Sequence, residues 1–336
     1  MKVVVLTTSY PRDERDVAGV FVAGAVRGVR ELGVEVDVVS PASFAHFGIA
    51  YGGGIAQNLR GQPWRAALLP AFLAAYARAA RRAARDADLV HAHWIPSAVA
   101  ARATGKPYVL QVWGTDVELA RRAPALVRPL LRGARTVIAA SSYLADEVRD
   151  LGAARVEVVP WGVEIPETVG EPAEPPHVLF AGRLSEEKGI LEFLEATEGL
   201  PRVIVGDGPL RARVPETVGF VPPAEMGGYY ERAAVVCVPS RREGVGMTAR
   251  EAMAYGRPVV ATRVGGLLDA VRDSVTGVLV GAADPGEMRA AIEMLLADRE
   301  LRIRLGSDAR RVSAAELSRD AQSSRLVGLY RAATKS

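Results

Sequence analysis

Hydrophobic positions along the chain fall into short runs separated by amphipathic stretches, the pattern of strands alternating with helices. Residues 1–9 carry a β-branched run, residues 19–32 show helical apolar spacing, and residues 34–40 form a second apolar run stopped by Pro41, which together make one βαβ unit. Further apolar runs at 89–93, 108–112, 136–139 and 156–159 alternate with Ala-, Leu- and Arg-rich helical stretches. The first half therefore reads as a parallel sheet with helices.

A segment rich in Pro and Glu, residues 163–176, can continue neither a strand nor a helix interior and is the best linker candidate. Beyond it the strand pattern resumes at 177–181, 202–205, 234–239, 258–262 and 277–280, which predicts a second parallel α/β domain. Helical spacing then covers 287–297, 300–316 and 319–333, more helix than the last strands need, so the final helix is expected to pack back on the first domain. The expected division is an N-terminal domain over residues 1–165, a second over 166–315, and a returning helix over 316–336. A length of 336 residues suits two cores.

Composition is that of an ordinary globular chain, 49% hydrophobic and 24% charged. The single cysteine, Cys237, lies in an apolar run and reads as a buried core thiol, with no disulfide and no sign of an oxidising compartment. The N-terminal apolar run is too short for the centre of a signal peptide and reads as a first strand. No apolar stretch reaches the roughly 18 residues of a membrane span, and a cytoplasmic location is expected. Through Gly162 there are 20 Lys or Arg against 14 Asp or Glu, a balance of +6, leaving −3 for the rest of a chain whose net charge is +3.

Ligands of open parallel sheets collect beyond the carboxyl ends of the strands, which directs attention to the loops of the second half. The first holds Gly182-Arg183-Leu-Ser-Glu-Glu-Lys188-Gly189, two cations on a loop leading into a helix, where an anion such as a diphosphate is favoured. The next is the tight turn Gly206-Asp207-Gly208-Pro209, and Gly219-Phe220-Val221-Pro222 is another. The loop from Pro239 carries Glu243 before a helix and Glu251 inside it, with seven residues between them across a glycine-bearing turn. A sugar linked through a diphosphate needs amides and cations for its phosphates and carboxylates for its hydroxyls. This sheet edge offers all three.

The Gly-Arg-Leu-Ser-x-x-Lys-Gly loop, the Gly-Asp-Gly-Pro turn, the Glu-x7-Glu spacing and the run Glu251-Ala-Met-Ala-Tyr-Gly-Arg-Pro-Val-Val-Ala-Thr with Gly265-Gly266 resemble the retaining GT-B glycosyltransferases of family 4. The resemblance covers roughly residues 177–281 most closely and continues in the same order through the first half. It implies an α/β GT-B fold, two Rossmann-like domains whose parallel sheets face across a cleft. It also implies transfer of a hexose from a UDP- or GDP-sugar to a glycan, lipid-linked or small-molecule acceptor, with no metal or other cofactor. In that scheme Arg183 and Lys188 hold the diphosphate and stabilise the leaving group, and Glu243 touches the donor sugar. Glu251 reaches the ribose, Val221 presents backbone to the base, and Gly182, Gly206, Gly246, Met247 and Thr248 complete the donor contacts. Independently of family, fixed cations where negative charge develops are a large catalytic factor.

In the first half, Gly19 in Asp16-Val-Ala-Gly-Val-Phe lies where the family places glycines near diphosphate and acceptor. His93 and Trp94 end one strand run, and Trp113-Gly-Thr-Asp116 ends another. Family members commonly carry a histidine at the position of Trp113, where it contacts the donor sugar. His93, Trp113 and Asp116 are the acceptor-side candidates, with an ordinary strand-end role for His93 as the alternative.

Other readings stand beside these. Thr248-Ala-Arg-Glu251 is also a capping-box pattern, and Arg183 and Lys188 could be solvated loop charges. Asp86-Ala-Asp88 resembles a metal-binding pair but precedes its strand, at the wrong end for a site. No Gly-x-Gly-x-x-Gly follows either first strand, which disfavours a nicotinamide dehydrogenase. Residues 63–85 and 121–135 join apolar and arginine-rich positions, which fits either peripheral contact with an anionic membrane at its inner face or two packed helices with solvated arginines. The basic residues lack the aromatic interleaving of a nucleic-acid module, so no nucleic-acid partner is expected. A sugar-nucleotide epimerase of the same fold and a non-catalytic sugar-nucleotide-binding protein are the competing functions.

Overall fold

A computed structural model describes every residue except Glu14, Arg15, Val17, Gly52, Gly53 and Ser336, with Ala56 described in its backbone alone. Val17, inside the glycine-bearing stretch noted above, thus lies outside the described residues. The chain divides into two compact units, Met1–Val159 with Gln322–Ser336, and Pro160–Ala321. Val163 donates its amide to Leu317 and accepts from Arg319, forming an isolated parallel bridge with Ser318. That bridge sorts the start of the Pro- and Glu-rich segment with the second unit, Pro160–Ala321.

The first unit is a parallel sheet of six strands: β1 (Lys2–Leu6), β2 (Glu35–Val39), β3 (Leu89–His93), β4 (Tyr108–Gln111), β5 (Thr136–Ala139) and β6 (Val156–Val158), in the order β2-β1-β3-β4-β5-β6. Strands β3 and β4 are buried throughout, as a parallel sheet covered on both faces demands, and His91, His93 and Gln111 are the polar exceptions within them. The helix Val20–Glu31 lays Val22, Ala25, Val26 and Val29 on this core, the spacing of a single helical face. The stretch read as one helix from residue 63 is a 3-10 turn, Pro63–Leu68, followed by the helix Leu69–Ala83, with Pro70 in the helix's first turn, where its missing N–H has no intrahelical role.

The last helix, Arg319–Lys335, places Leu326, Val327, Tyr330 and Ala333 in the core with Val3, Val5 and Val36. Burying each such Leu or Val side chain contributes about 1.5–3 kcal/mol, which fastens the C-terminal residues to the N-terminal sheet. The Tyr330 hydroxyl and His91 Nδ1 share a buried hydrogen bond of 2.7 Å.

The second unit is a five-stranded parallel sheet: β7 (Val178–Ala181), β8 (Arg202–Val205), β9 (Val235–Val238), β10 (Val259–Thr262) and β11 (Gly277–Val280), in the order β11-β10-β9-β7-β8. Alternate side chains divide between two cores, Val178 and Phe180 packing with Ile190 and Phe193 on one face, Leu179 and Val236 with Met253 and Leu267 on the other. Cys237 is a free, buried thiol whose pKa burial pushes up, so it remains protonated. Strand order reverses between β7 and β9, the point at which an open parallel sheet leaves a crevice at its carboxyl edge.

Candidate functional site

The loops that follow β7 and β9 meet at this switch point. After β7 a 3-10 turn, Glu186–Lys188, ends at Gly189, whose φ of 69° is left-handed and whose missing Cβ would lie 1.9 Å from the carbonyl oxygen of Pro239. Only glycine lets the turn come this close to the loop after β9. Arg241 then donates its amide to Glu187, and the Lys188 ammonium reaches Glu243 Oε2 at 2.7 Å. Ser240 Oγ donates to the same oxygen at 3.1 Å. The two side chains are 32% and 14% exposed, so salt screens their attraction less than that of a surface pair.

Behind Glu243 the helix Met247–Ala254 starts from Gly246, and its first-turn amides have no acceptor within the helix. Thr248 is inside the helix instead of capping it, and its hydroxyl donates to the carbonyl of Ala181 at 3.2 Å. Glu251 does not fold back to the helix start; its Oε2 accepts from the Tyr230 hydroxyl at 2.6 Å. The capping-box alternative for this segment is therefore not what the residues do. Burial pushes the Glu251 carboxyl up, and the Tyr230 hydroxyl opposes that rise.

Arg250, on the same helix, is fully buried and donates Nη1 to the carbonyl of Trp161 at 3.3 Å. Burial lowers its guanidinium to about 10, against the attraction of Asp269 and Glu243, so it stays a cation at neutral pH. Glu243 thus sits in the field of two cations, Lys188 and Arg250. A buried arginine on a helix carries no sequence signature, and Arg250 had not been singled out.

A pocket of about 360 Å3 opens beside these loops, brought together by the carboxyl ends of β7 and β8. Five expected residues line it: Gly182, Arg183, Gly206, Val221 and Thr248. At Gly206, with φ at 144°, a Cβ would lie 1.8 Å from the Gly182 carbonyl oxygen, so the two turns can share the pocket floor only because this residue is glycine. Asp207 and Phe220, from the two glycine turns of this edge, also line it, as do Met226 and Tyr230, which the sequence did not mark. Phe220 adjoins the expected Val221, whereas Tyr230 is the buried residue of a short helix, Met226–Arg232. Lys188, Glu243, Gly246, Met247 and Glu251 lie outside the lining itself. The pocket joins one cation, Arg183, to an apolar wall of Phe220, Val221 and Met226, the mixture expected of a small-molecule site.

In the first unit the acceptor-side candidates gather at the carboxyl ends of β1, β3 and β4. Asp116 is buried and its carboxylate accepts three backbone amides, from Ile95 at 3.0 Å, Trp113 at 2.9 Å and Val117 at 3.1 Å. That geometry braces the loops after β3 and β4, and it holds despite burial that pushes the carboxyl up. His93 is buried against His91 at 4.2 Å and Trp113 at 5.5 Å between ring centroids. Burial first, and then His91, hold its pKa well below the usual histidine range. It is neutral at neutral pH and supplies no positive charge.

Trp113 stacks on Trp94 at 4.9 Å and meets Phe21 at 4.2 Å. Phe21 follows Gly19, which begins the helix Val20–Glu31. The pair Asp86 and Asp88 lies at the opposite end of β3, where Asp88 accepts the amide of Lys2 at 2.8 Å.

Residues 175–298 match the family model for glycosyl transferases group 1, and residues 18–166 match that for Glycosyltransferase Family 4. The chain is 33% identical to a D-inositol 3-phosphate glycosyltransferase of Xylanimonas cellulosilytica, over 80% of this chain and 77% of that one. In fold it is similar to sucrose-phosphate synthase from Thermosynechococcus elongatus, with a TM-score of 0.80 at 21% identity over 98% of each chain. It is similar also to Anabaena HepE solved in complex with UDP-glucose, with a TM-score of 0.75 at 18% identity, over 99% of this chain and 100% of that one. With two Rossmann-like parallel sheets and these relatives, the chain belongs to glycosyltransferase family 4 and is an enzyme of the GT-B fold.

Proposed function

We propose that the enzyme transfers a hexose from a UDP- or GDP-sugar to a hydroxyl of a glycan, lipid-linked or small-molecule acceptor, with retention at the anomeric carbon and without a metal. The observation that carries this reading is that Arg183, in the pocket lining, and the Lys188–Glu243 pair both stand on the loops at the β7/β9 switch point. Arg183, Lys188 and the first-turn amides of Met247 and Thr248 hold the diphosphate, and Glu243 accepts from hydroxyls of the sugar. Glu251 accepts from the ribose, and the wall at Phe220, Val221 and Met226 receives the base. A relative in fold, HepE, is solved with UDP-glucose, which favours a uridine donor.

In the transfer step the bond from the anomeric carbon to the diphosphate oxygen breaks, and the acceptor oxygen bonds to the same face of that carbon. The acceptor's hydroxyl proton passes to the departing diphosphate. Arg183 and Lys188 neutralise the charge that develops there, the task a divalent cation would otherwise perform. The acceptor falls to the first unit, where Trp113, Trp94 and Phe21 form an aromatic face beside His93 and Gly19.

Thermal unfolding with UDP-, GDP- and ADP-sugars tests the donor assignment. A ligand at a hundred times its Kd stabilises by about 2.7 kcal/mol, enough to raise Tm by several degrees for the UDP- or the GDP-sugar. No shift with any of them, or a shift with the ADP-sugar alone, contradicts it. Acceptor-dependent release of nucleoside diphosphate should persist in chelator, and loss restored by magnesium contradicts the metal-free mechanism.

A second reading concerns location. Among the described residues no helix is long and apolar enough to cross a membrane. Trp64 and Leu126 are nevertheless 65% and 77% exposed, and Arg60, Arg122, Arg128 and Arg132 near them in sequence are exposed too. We propose that the enzyme touches an anionic membrane surface through these residues. It should sediment with anionic liposomes more than with neutral ones; equal sedimentation ends the membrane reading.

A further inference from the structure

We propose that Tyr230 is the positioning residue of the nucleoside site: its hydroxyl fixes the carboxylate of Glu251 through Oε2, leaving Oε1 to accept from the ribose of a bound nucleoside diphosphate. This inference rests on the ribose contact assigned above to Glu251 and extends it to a residue that sequence reasoning passed over.

Tyr230 is only 3% exposed, yet it lines the pocket that also holds Arg183, Phe220 and Val221. Its backbone is clamped, Arg257 Nε donating to its carbonyl at 3.1 Å and Arg257 Nη2 to that of Glu231 at 2.7 Å. Its ring packs at 33° on Tyr255, 5.6 Å away. A buried phenol needs a partner for its hydroxyl, and here the partner is a carboxylate at 2.6 Å, a short charge-assisted hydrogen bond. Phenylalanine would fill the same core volume, so packing alone does not call for the hydroxyl. Among the described residues Glu251 Oε1 accepts no hydrogen bond, which leaves one oxygen of a rigidly held carboxylate for a ligand. Burial pushes the Glu251 carboxyl up, and the hydrogen bond from Tyr230 that orients the group opposes that rise.

The test is a titration of wild-type and Tyr230→Phe protein with UDP and with 2′,3′-dideoxy-UDP, the GDP pair being used if UDP does not bind, together with thermal unfolding of both proteins. Wild type should prefer the ribose form, and Tyr230→Phe should bind that form about tenfold more weakly while binding the dideoxy form as wild type does. Unchanged affinity of Tyr230→Phe for the ribose form overturns the proposal. So does an equal weakening for both nucleotides, with or without a drop in Tm, because a purely structural tyrosine would act on both alike. A wild type indifferent to the ribose hydroxyls removes the Glu251 assignment itself and this inference with it. A preference that vanishes only in Tyr230→Phe overturns neither.

Discussion

Lys188→Met should lower kcat/KM for the nucleotide-sugar about 100- to 1000-fold, the loss typical when one fixed donor to a developing negative charge is removed. An ammonium carries three donors, and one of them lies on Glu243 at 2.7 Å, which leaves the others for phosphate oxygens. Methionine keeps the length and apolar stem of the side chain while deleting its charge. Glu243 would retain Ser240 and the field of Arg250, so the fold should survive with a stability change of about 1 kcal/mol or less. Steady-state kinetics alongside thermal unfolding measure both quantities. A loss smaller than tenfold would make the Lys188–Glu243 pair a structural tie between two loops.

Glu243→Gln should reduce kcat about 100-fold with the fold intact. The amide preserves the shape of the side chain and can still accept from Ser240 Oγ, but it no longer offers a charged acceptor to sugar hydroxyls or an ion-pair partner to Lys188. Because the two residues touch, the effects of Lys188→Met and Glu243→Gln should fail to add in the double variant. Near-normal turnover of Glu243→Gln would remove that carboxylate from the mechanism, and additive losses would place the two residues in separate tasks.

Much of the architecture was legible because a parallel sheet buried on both faces leaves continuous apolar runs, as in Val235–Val238 and Val259–Thr262. The return of the last helix could be anticipated from an excess of helical sequence, although the partners of Leu326 and Tyr330 could not. On the donor side, the sequence singles out Gly182-Arg183 and Lys188 because glycines and cations cluster there for reasons no core requires, and the structure sets Gly182 and Arg183 in the pocket lining. Tyr230, Met226 and Arg250 were invisible: a tyrosine or methionine in a short amphipathic helix looks like packing, and an arginine's burial depends on what folds over it. Asp116 shows the reverse case. Its position after a strand is that of a ligand contact, yet its carboxylate is taken up by three backbone amides that no spacing rule reveals. Trp113 stands where the resemblance expects a histidine, and the structure gives it aromatic neighbours, Trp94 and Phe21.

The proposed donor site places the nucleoside diphosphate on the second unit's loops after β7, β8 and β9. A crystal structure of the enzyme with UDP or GDP tests it most directly. The diphosphate oxygens should lie within hydrogen-bonding distance of Arg183 and Lys188, with the ribose at Glu251 and the base against Val221. A nucleotide bound elsewhere, or bound in this pocket with its phosphates turned away from both cations, would contradict the account.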